Sequence, residues 1–105
     1  MVRHISVLTF LDTPEKEQNI ASVRAYLERV PEMYPAIRNS VVAVPVLDTP
    51  FVPDNAPVMF GDLVQVLDFD TVEDAANYPT SKAHTDLAAM STAMLKKVTA
   101  IDFQM

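Results

Sequence analysis

The sequence predicts an α+β fold of order β-α-β-β-α-β, four antiparallel strands with helices on one face. Three observations predict it. Residues 2–11, 40–47, 58–69 and 98–103 are rich in β-branched and apolar types and read as strands. Helically spaced apolar residues follow the first and third of these stretches. Threonine and proline mark the helix starts, and proline clusters mark the breaks between elements.

The first strand, 2–11, places Val2, His4, Ser6, Leu8 and Phe10 on one face and Ile5, Val7, Thr9 and Leu11 on the other. Both faces are largely apolar, so both are expected to be covered. Asp12-Thr13-Pro14-Glu15 then opens a helix. Thr13 is the expected cap, Pro14 suits the first helical position, and Glu15 favours the positive end of the helix dipole. Ile20, Val23, Leu27 and Val30 form its apolar stripe, and Pro31 and Pro35 are expected to end it in a loop, 31–39.

The second strand, 40–47, contains Pro45, which removes a ladder donor and suits an edge or a bulge. Residues 48–57 hold three prolines and read as a stiff loop, with Phe51 and Val52 expected to pack on the body or on a partner. The third strand, 58–69, encloses the single glycine, Gly61, which signals a bulge or a close backbone approach. Thr71, with acidic Asp74 three positions on, caps a helix that Pro79 keeps short. A loop, 80–84, leads to a last helix near 85–97, striped by Leu87, Met90 and Met94. The closing strand is 98–103. This order is the ferredoxin-like arrangement. Helices on one side leave the other sheet face bare, and a second copy of the chain is its simplest cover.

At 105 residues the chain fits one domain, 1–105. Fourteen acidic residues against eight basic ones argue against nucleic acid and against an anionic membrane surface as partners. Cysteine is absent, which removes disulfides, thiolate nucleophiles and most structural zinc sites. No signal peptide and no transmembrane-length apolar stretch is visible, so a cytoplasmic protein is expected.

The segments VRHISVLTF, YPAIRN, GDLVQVLDFDTVEDAANY, SKAH and the terminal IDF, in this order and at these spacings, resemble the stress-responsive dimeric A/B-barrel (Dabb) family. The likeness runs from His4 to Phe103. It implies a homodimer whose two sheets form a central α+β barrel, with one pocket per protomer between helices and sheet. The family includes stress proteins without clear chemistry, a plant polyketide cyclase and a plant hydroxynitrile lyase. In the cyclase a histidine on the last-helix loop is the proposed base, joined by a tyrosine six residues earlier and a histidine early in the first strand. His84, Tyr78 and His4 stand at the matching places. The sequence departs from the family's HPxH loop, with Ser81 and Lys82 where histidine and proline are usual.

On that resemblance His84 is the expected general base, Tyr78 the donor to a carbonyl that becomes an enolate, and His4 an orienting group. Ser6, Leu8, Val23, Leu27 and Leu87 are the expected pocket wall. The set suffices for cyclase-like or lyase-like chemistry on a small carbonyl compound without a cofactor. The competing expectation is a non-catalytic dimer, stress-responsive or ligand-binding, with both histidines serving structure. No metal site is expected. Two histidines lack a third ligand, and Asp62, Asp68 and Asp70 read as a solvated strand face. Met90 and Met94 read as core, and no phosphate loop, dinucleotide fingerprint or serine-nucleophile motif is present.

Overall fold

The computed structural model describes residues 1–46 and 61–105. The chain runs β1 (Val2–Phe10), α1 (Lys16–Met33), β2 (Ile37–Ala43), β3 (Leu63–Phe69), α2 (Val72–Asn77), a 3-10 turn (Tyr78–Thr80), α3 (Lys82–Ser91), a second 3-10 turn (Thr92–Met94) and β4 (Leu95–Gln104). The strands form one antiparallel sheet in the order β2-β3-β1-β4. This is the ferredoxin-like fold that the sequence predicts.

The sheet has two distinct faces because side chains alternate along each strand. Its inner face carries Leu8 and Phe10 from β1, Leu63, Leu67 and Phe69 from β3, and Ile37 from β2. These pack against Val23, Leu27 and Val30 of α1 and Ala83 and Leu87 of α3. The register sets Ile5 beside Val66 and Ile101, and Val7 beside Val64, with Val41 next to Val66. These residues make up the outer face, which no helix among the described residues covers, and Val41 and Ile101 on it are exposed.

The element boundaries differ from expectation in several places. Thr13 does not cap α1: the helix starts at Lys16 behind Glu15, without a side-chain cap bond, after a turn in which Lys16 N–H donates to the Thr13 carbonyl. Pro31 does not end it. It lies in the last turn, where only one ladder bond is lost. The buried Val30 and the Tyr34 N–H to Val30 carbonyl bond carry the helix to Met33. The connection to β2 is therefore short, and β2 starts at Ile37 and closes before Pro45.

Gly61 lies just before β3 rather than inside it. A Cβ there would overlap Val7 Cγ1, so the glycine marks a close approach to β1. The stretch 48–57, including Phe51 and Val52, and the start expected for the third strand lie outside the described residues. Thr71 caps α2 as expected, accepting from Asp74 N–H at 3.1 Å, and α2 stops ahead of Pro79.

The last helix starts three residues earlier and ends six residues earlier than expected. Ser81 caps it, so the SKAH segment is its first turn and not a loop. At its far end the Ser91 and Thr92 hydroxyls bond back to the Leu87 and Ala88 carbonyls, in competition with further helix. The β-branched content of 95–104 then favours a strand. Met90 and Met94 pack against the core.

Candidate functional site

One cavity of about 260 Å³ opens between the inner sheet face, α3 and β4. Its floor is sheet. Ser6 of β1 lies opposite Gln65 of β3 and Ala100 of β4 in one cross-strand row, and His4 lies in the next row between Leu67 and Asp102. Its roof is Leu27 of α1, Tyr78 of the 3-10 turn, and His84, Leu87, Ala88 and Ser91 of α3. Val98 of β4 also lines it and is 51% exposed, so the cavity opens over the β4 edge.

Tyr78, His84 and His4 therefore share one cavity. So do Ser6, Leu8, Leu27 and Leu87. Val23 does not belong to this wall. It is fully buried in the core cluster that α1 forms with the inner sheet face.

Tyr78 is held by aromatic packing. Its ring lies 5.4 Å from that of Tyr34 and 5.8 Å from that of Phe69, centroid to centroid. Burial pushes its phenol up to about 12, against a smaller opposing pull from Gln65 and a small upward one from Tyr26. At neutral pH it is a proton donor. Among the described residues, neither Tyr78 Oη nor Gln65 Nε2 has a hydrogen-bond partner. The two groups approach without reaching hydrogen-bond geometry.

His84 sits in the first turn of α3. Ser81 Oγ accepts from its backbone N–H at 3.4 Å and donates to the Tyr78 carbonyl at 2.6 Å, so one hydroxyl joins the two residues. From the other side, Tyr26 Oη of α1 donates to the Ala83 carbonyl at 2.7 Å. The His84 ring has a lowered pKa, chiefly through burial and then through His4, while a hydrogen bond to the Pro79 backbone acts the other way. Near pH 7 it is neutral and retains a lone pair.

His4 Nδ1 is 2.7 Å from Asp102 Oδ1. A carboxylate only accepts, so Nδ1 carries a proton towards Asp102, and Nε2 is the ring nitrogen that Asp102 leaves unengaged. Asp102, Gln65 and the β4 wall are the site features that sequence reading misses. Asp102 shows itself only through the strand register. Gln65 has a sequence signal, one polar residue flanked by apolar ones, but the alternation does not say which face it takes.

Two of the acidic residues around β3 depart from the solvated face expected of them, while Asp70 is exposed as expected. Asp68 is 2% exposed and takes a two-pronged bond from Arg3, at 2.8 and 3.0 Å, on the outer face. That guanidinium holds its carboxyl below the usual range. Asp62 accepts from Phe10 N–H at 2.8 Å. Among the described residues no group of three or more His, Asp or Glu is placed to hold a metal ion, and no helix is long and apolar enough to cross a membrane.

No family model matches the chain, and no curated protein matches it in sequence. Solved structures match it in shape. A dimeric protein of unknown function with a ferredoxin-like fold from Bacteroides fragilis gives a TM-score of 0.79 at 20% identity, over 99% of this chain and 95% of that one. The hydroxynitrile lyase of Passiflora edulis gives 0.77 at 18% identity, over 97% and 90%. A Dabb family protein with a ferredoxin-like fold from Mesorhizobium loti gives 0.64 at 12% identity, over 99% and 95%. At such identities the likeness establishes the shared fold.

Proposed function

We propose that the chain is a homodimeric protein of the stress-responsive A/B-barrel type, one domain over 1–105, and that its cavity performs cofactor-free acid–base chemistry on a small carbonyl compound. The observation that carries this reading is that Tyr78 and His84 line one cavity with pKa values pushed in opposite directions. Environments that separate two such values suit an acid and a base working together. His84 accepts a proton from the carbon beside the carbonyl. The electron pair moves onto the carbonyl oxygen, and Tyr78 donates a hydrogen bond to the resulting enolate. His4, fixed by Asp102, orients the substrate through Nε2. Closure of the enolate onto a second carbonyl gives cyclase-like chemistry, and expulsion of a leaving group gives lyase-like chemistry.

The dimer follows from the bare outer face. Ile5, Val7, Val41, Val64, Val66 and Ile101 form an apolar sheet surface with no helix over it among the described residues, and the Bacteroides fragilis neighbour is described as dimeric.

Turnover of a panel of β-dicarbonyl compounds and ketones with a leaving group on the β carbon, compared among wild type, His84→Ala and Tyr78→Phe, tests the catalytic reading. At least a hundredfold loss in kcat is expected in each variant. Unchanged turnover of a genuine substrate in His84→Ala would sink it. A second reading has its own support. Both histidines have protein partners, Asp102 for His4 and the Pro79 backbone for His84, as in a dimer that binds a ligand without converting it. Saturable binding with no turnover of any compound in the panel would favour that reading.

A further inference from the structure

His4 and His84 reach the cavity from opposite sides. His4 belongs to the sheet floor, on β1, and His84 to the roof, in the first turn of α3. Each ring spends one nitrogen on a protein acceptor. His4 Nδ1 donates to Asp102 Oδ1 at 2.7 Å. The His84 ring bonds to the Pro79 backbone, where proline offers only a carbonyl, so this ring too donates an N–H. Each ring keeps its second nitrogen, and neither ring is sealed in protein. The His4 side chain is 21% exposed, and His84 is half-buried. The two lie close enough for a charge on His4 to oppose one on His84.

The surroundings of the two rings differ. Asp102 lies opposite His4 on β4, does not line the cavity, and has a side chain that is 60% exposed. Its carboxylate therefore stands behind the imidazole, where it fixes the ring and balances a second proton on it. His84 has a carbonyl in that place, which carries no full charge. Small side chains bound the space between the rings. Ser6 and Ala100 form the floor row beside His4, and Ala88 lies one helical turn from His84. A compact apolar ligand body fits there. No Lys, Arg, Asp or Glu lines the cavity among the described residues, so no full charge faces a carboxylate, a phosphate or an ammonium group.

We infer that His84 and the Asp102-backed His4 are a two-sided proton-transfer pair that inverts a stereocentre beside the carbonyl of an uncharged ligand. His84 takes the proton from one face of that carbon, and the C–H electron pair moves towards the carbonyl to leave an enolate. His4 Nε2 then gives a proton to the opposite face. A new C–H bond forms, the carbonyl is restored, and solvent carries the surplus proton from His84 back to His4. The ligand keeps its composition, and the step needs neither an oxidant nor a reductant. The mirror-image ligand takes the same route with the two histidines exchanging parts. The inference rests on the carbonyl reading of the cavity and adds an activity, epimerisation, that requires no second carbonyl and no leaving group.

The two enantiomers of 3-phenylbutan-2-one are the probes, each incubated in D2O with wild type, His4→Gln, His84→Gln and Asp102→Asn. Chiral chromatography with mass spectrometry follows inversion and deuterium uptake in each enantiomer. In wild type each enantiomer should give the other, with deuterium in the new bond to carbon. His4→Gln and His84→Gln should each invert at least a hundredfold more slowly. Each should still take up deuterium with retention in one enantiomer, and the two variants should choose opposite enantiomers, which also shows that each is folded. Asp102→Asn should slow inversion at least tenfold and move the His4 ring signals in an NMR spectrum. Deuterium uptake without inversion in wild type overturns the two-sided pair and leaves the acid–base reading standing. Inversion at the wild-type rate in His4→Gln, His84→Gln or Asp102→Asn overturns it too. Neither uptake nor inversion in wild type also overturns it, and turnover of the β-dicarbonyl panel then decides the acid–base reading on its own.

Discussion

The rings of Tyr78 and His84 meet edge to face, with centroids 5.2 Å apart and planes at 79°. Five residues separate them, and the chain between them is short and constrained. Pro79 turns it, and Ser81 closes it by bonding to both ends. The hydrogen-bond donor and the proposed base are thus set by one compact stretch of chain, 78–84, against a sheet floor contributed by distant segments.

The depressed pKa of His84 gives a signed pH dependence. An ordinary imidazole titrates near 6.5, and burial followed by His4 holds the folded value lower. Below about pH 6.5 the unfolded chain takes up a proton that the folded protein resists, so stability falls as pH drops towards the folded pKa. Above that window His84 is neutral in both states and contributes nothing. Urea unfolding at pH 7.5, 6.5 and 5.5 should show a steeper acid-side loss in wild type than in His84→Gln. Equal slopes would contradict the burial argument.

Ser81 should matter to both stability and geometry. Ser81→Ala removes the α3 cap and is expected to cost about 1 kcal/mol. Ser81→Thr, which retains the hydroxyl, should recover most of that loss. Chemical denaturation of the three proteins measures the difference. The His84 ring signals in an NMR spectrum should move in Ser81→Ala and return towards wild type in Ser81→Thr.

Leu27 belongs to both the core and the cavity wall. Leu27→Ala should destabilise by about 2–5 kcal/mol, the range for a fully buried leucine whose site collapses only in part. The same change enlarges the cavity. A ring-bearing ligand with one added methyl group should therefore gain affinity relative to its parent, as calorimetry can establish.

The outer face predicts the effect of charge. Val41→Lys and Ile101→Lys place ammonium groups on the bare apolar surface, and both positions are exposed in the single chain. Each variant should fold with a wild-type circular dichroism spectrum and sediment as a monomer, while wild type sediments as a dimer. A monomeric wild type at micromolar concentration would remove the dimer from the proposal.

The fold is largely legible in the sequence because each element carries its own period. The alternation of residues 2–10 assigns Leu8 and Phe10 to one face, and the stripe Val23, Leu27, Val30 marks the buried side of α1. Boundaries are less legible where two local signals compete. Pro31 reads as a terminator, yet Val30 buries beside it, and Ser81 reads as loop until it is seen to cap. The site is legible only in part. Periodicity says that His4 and Val23 face inwards, but not that β4 brings Asp102 beside one or that α1 packing closes over the other. Those facts depend on strand register and on how α1 packs into the core, and both are tertiary.

The bond from Tyr26 to the Ala83 carbonyl anchors the chain one residue from His84, and Tyr26 does not line the cavity. On the proposed chemistry, position 26 is therefore a remote handle on the base. A substitution there would alter the seating of the imidazole without changing any residue that lines the cavity, whereas a substitution one position along, at Leu27, would change the wall itself. Neighbouring positions on one helix thus answer to different demands, the first to how the base is seated and the second to what the cavity holds.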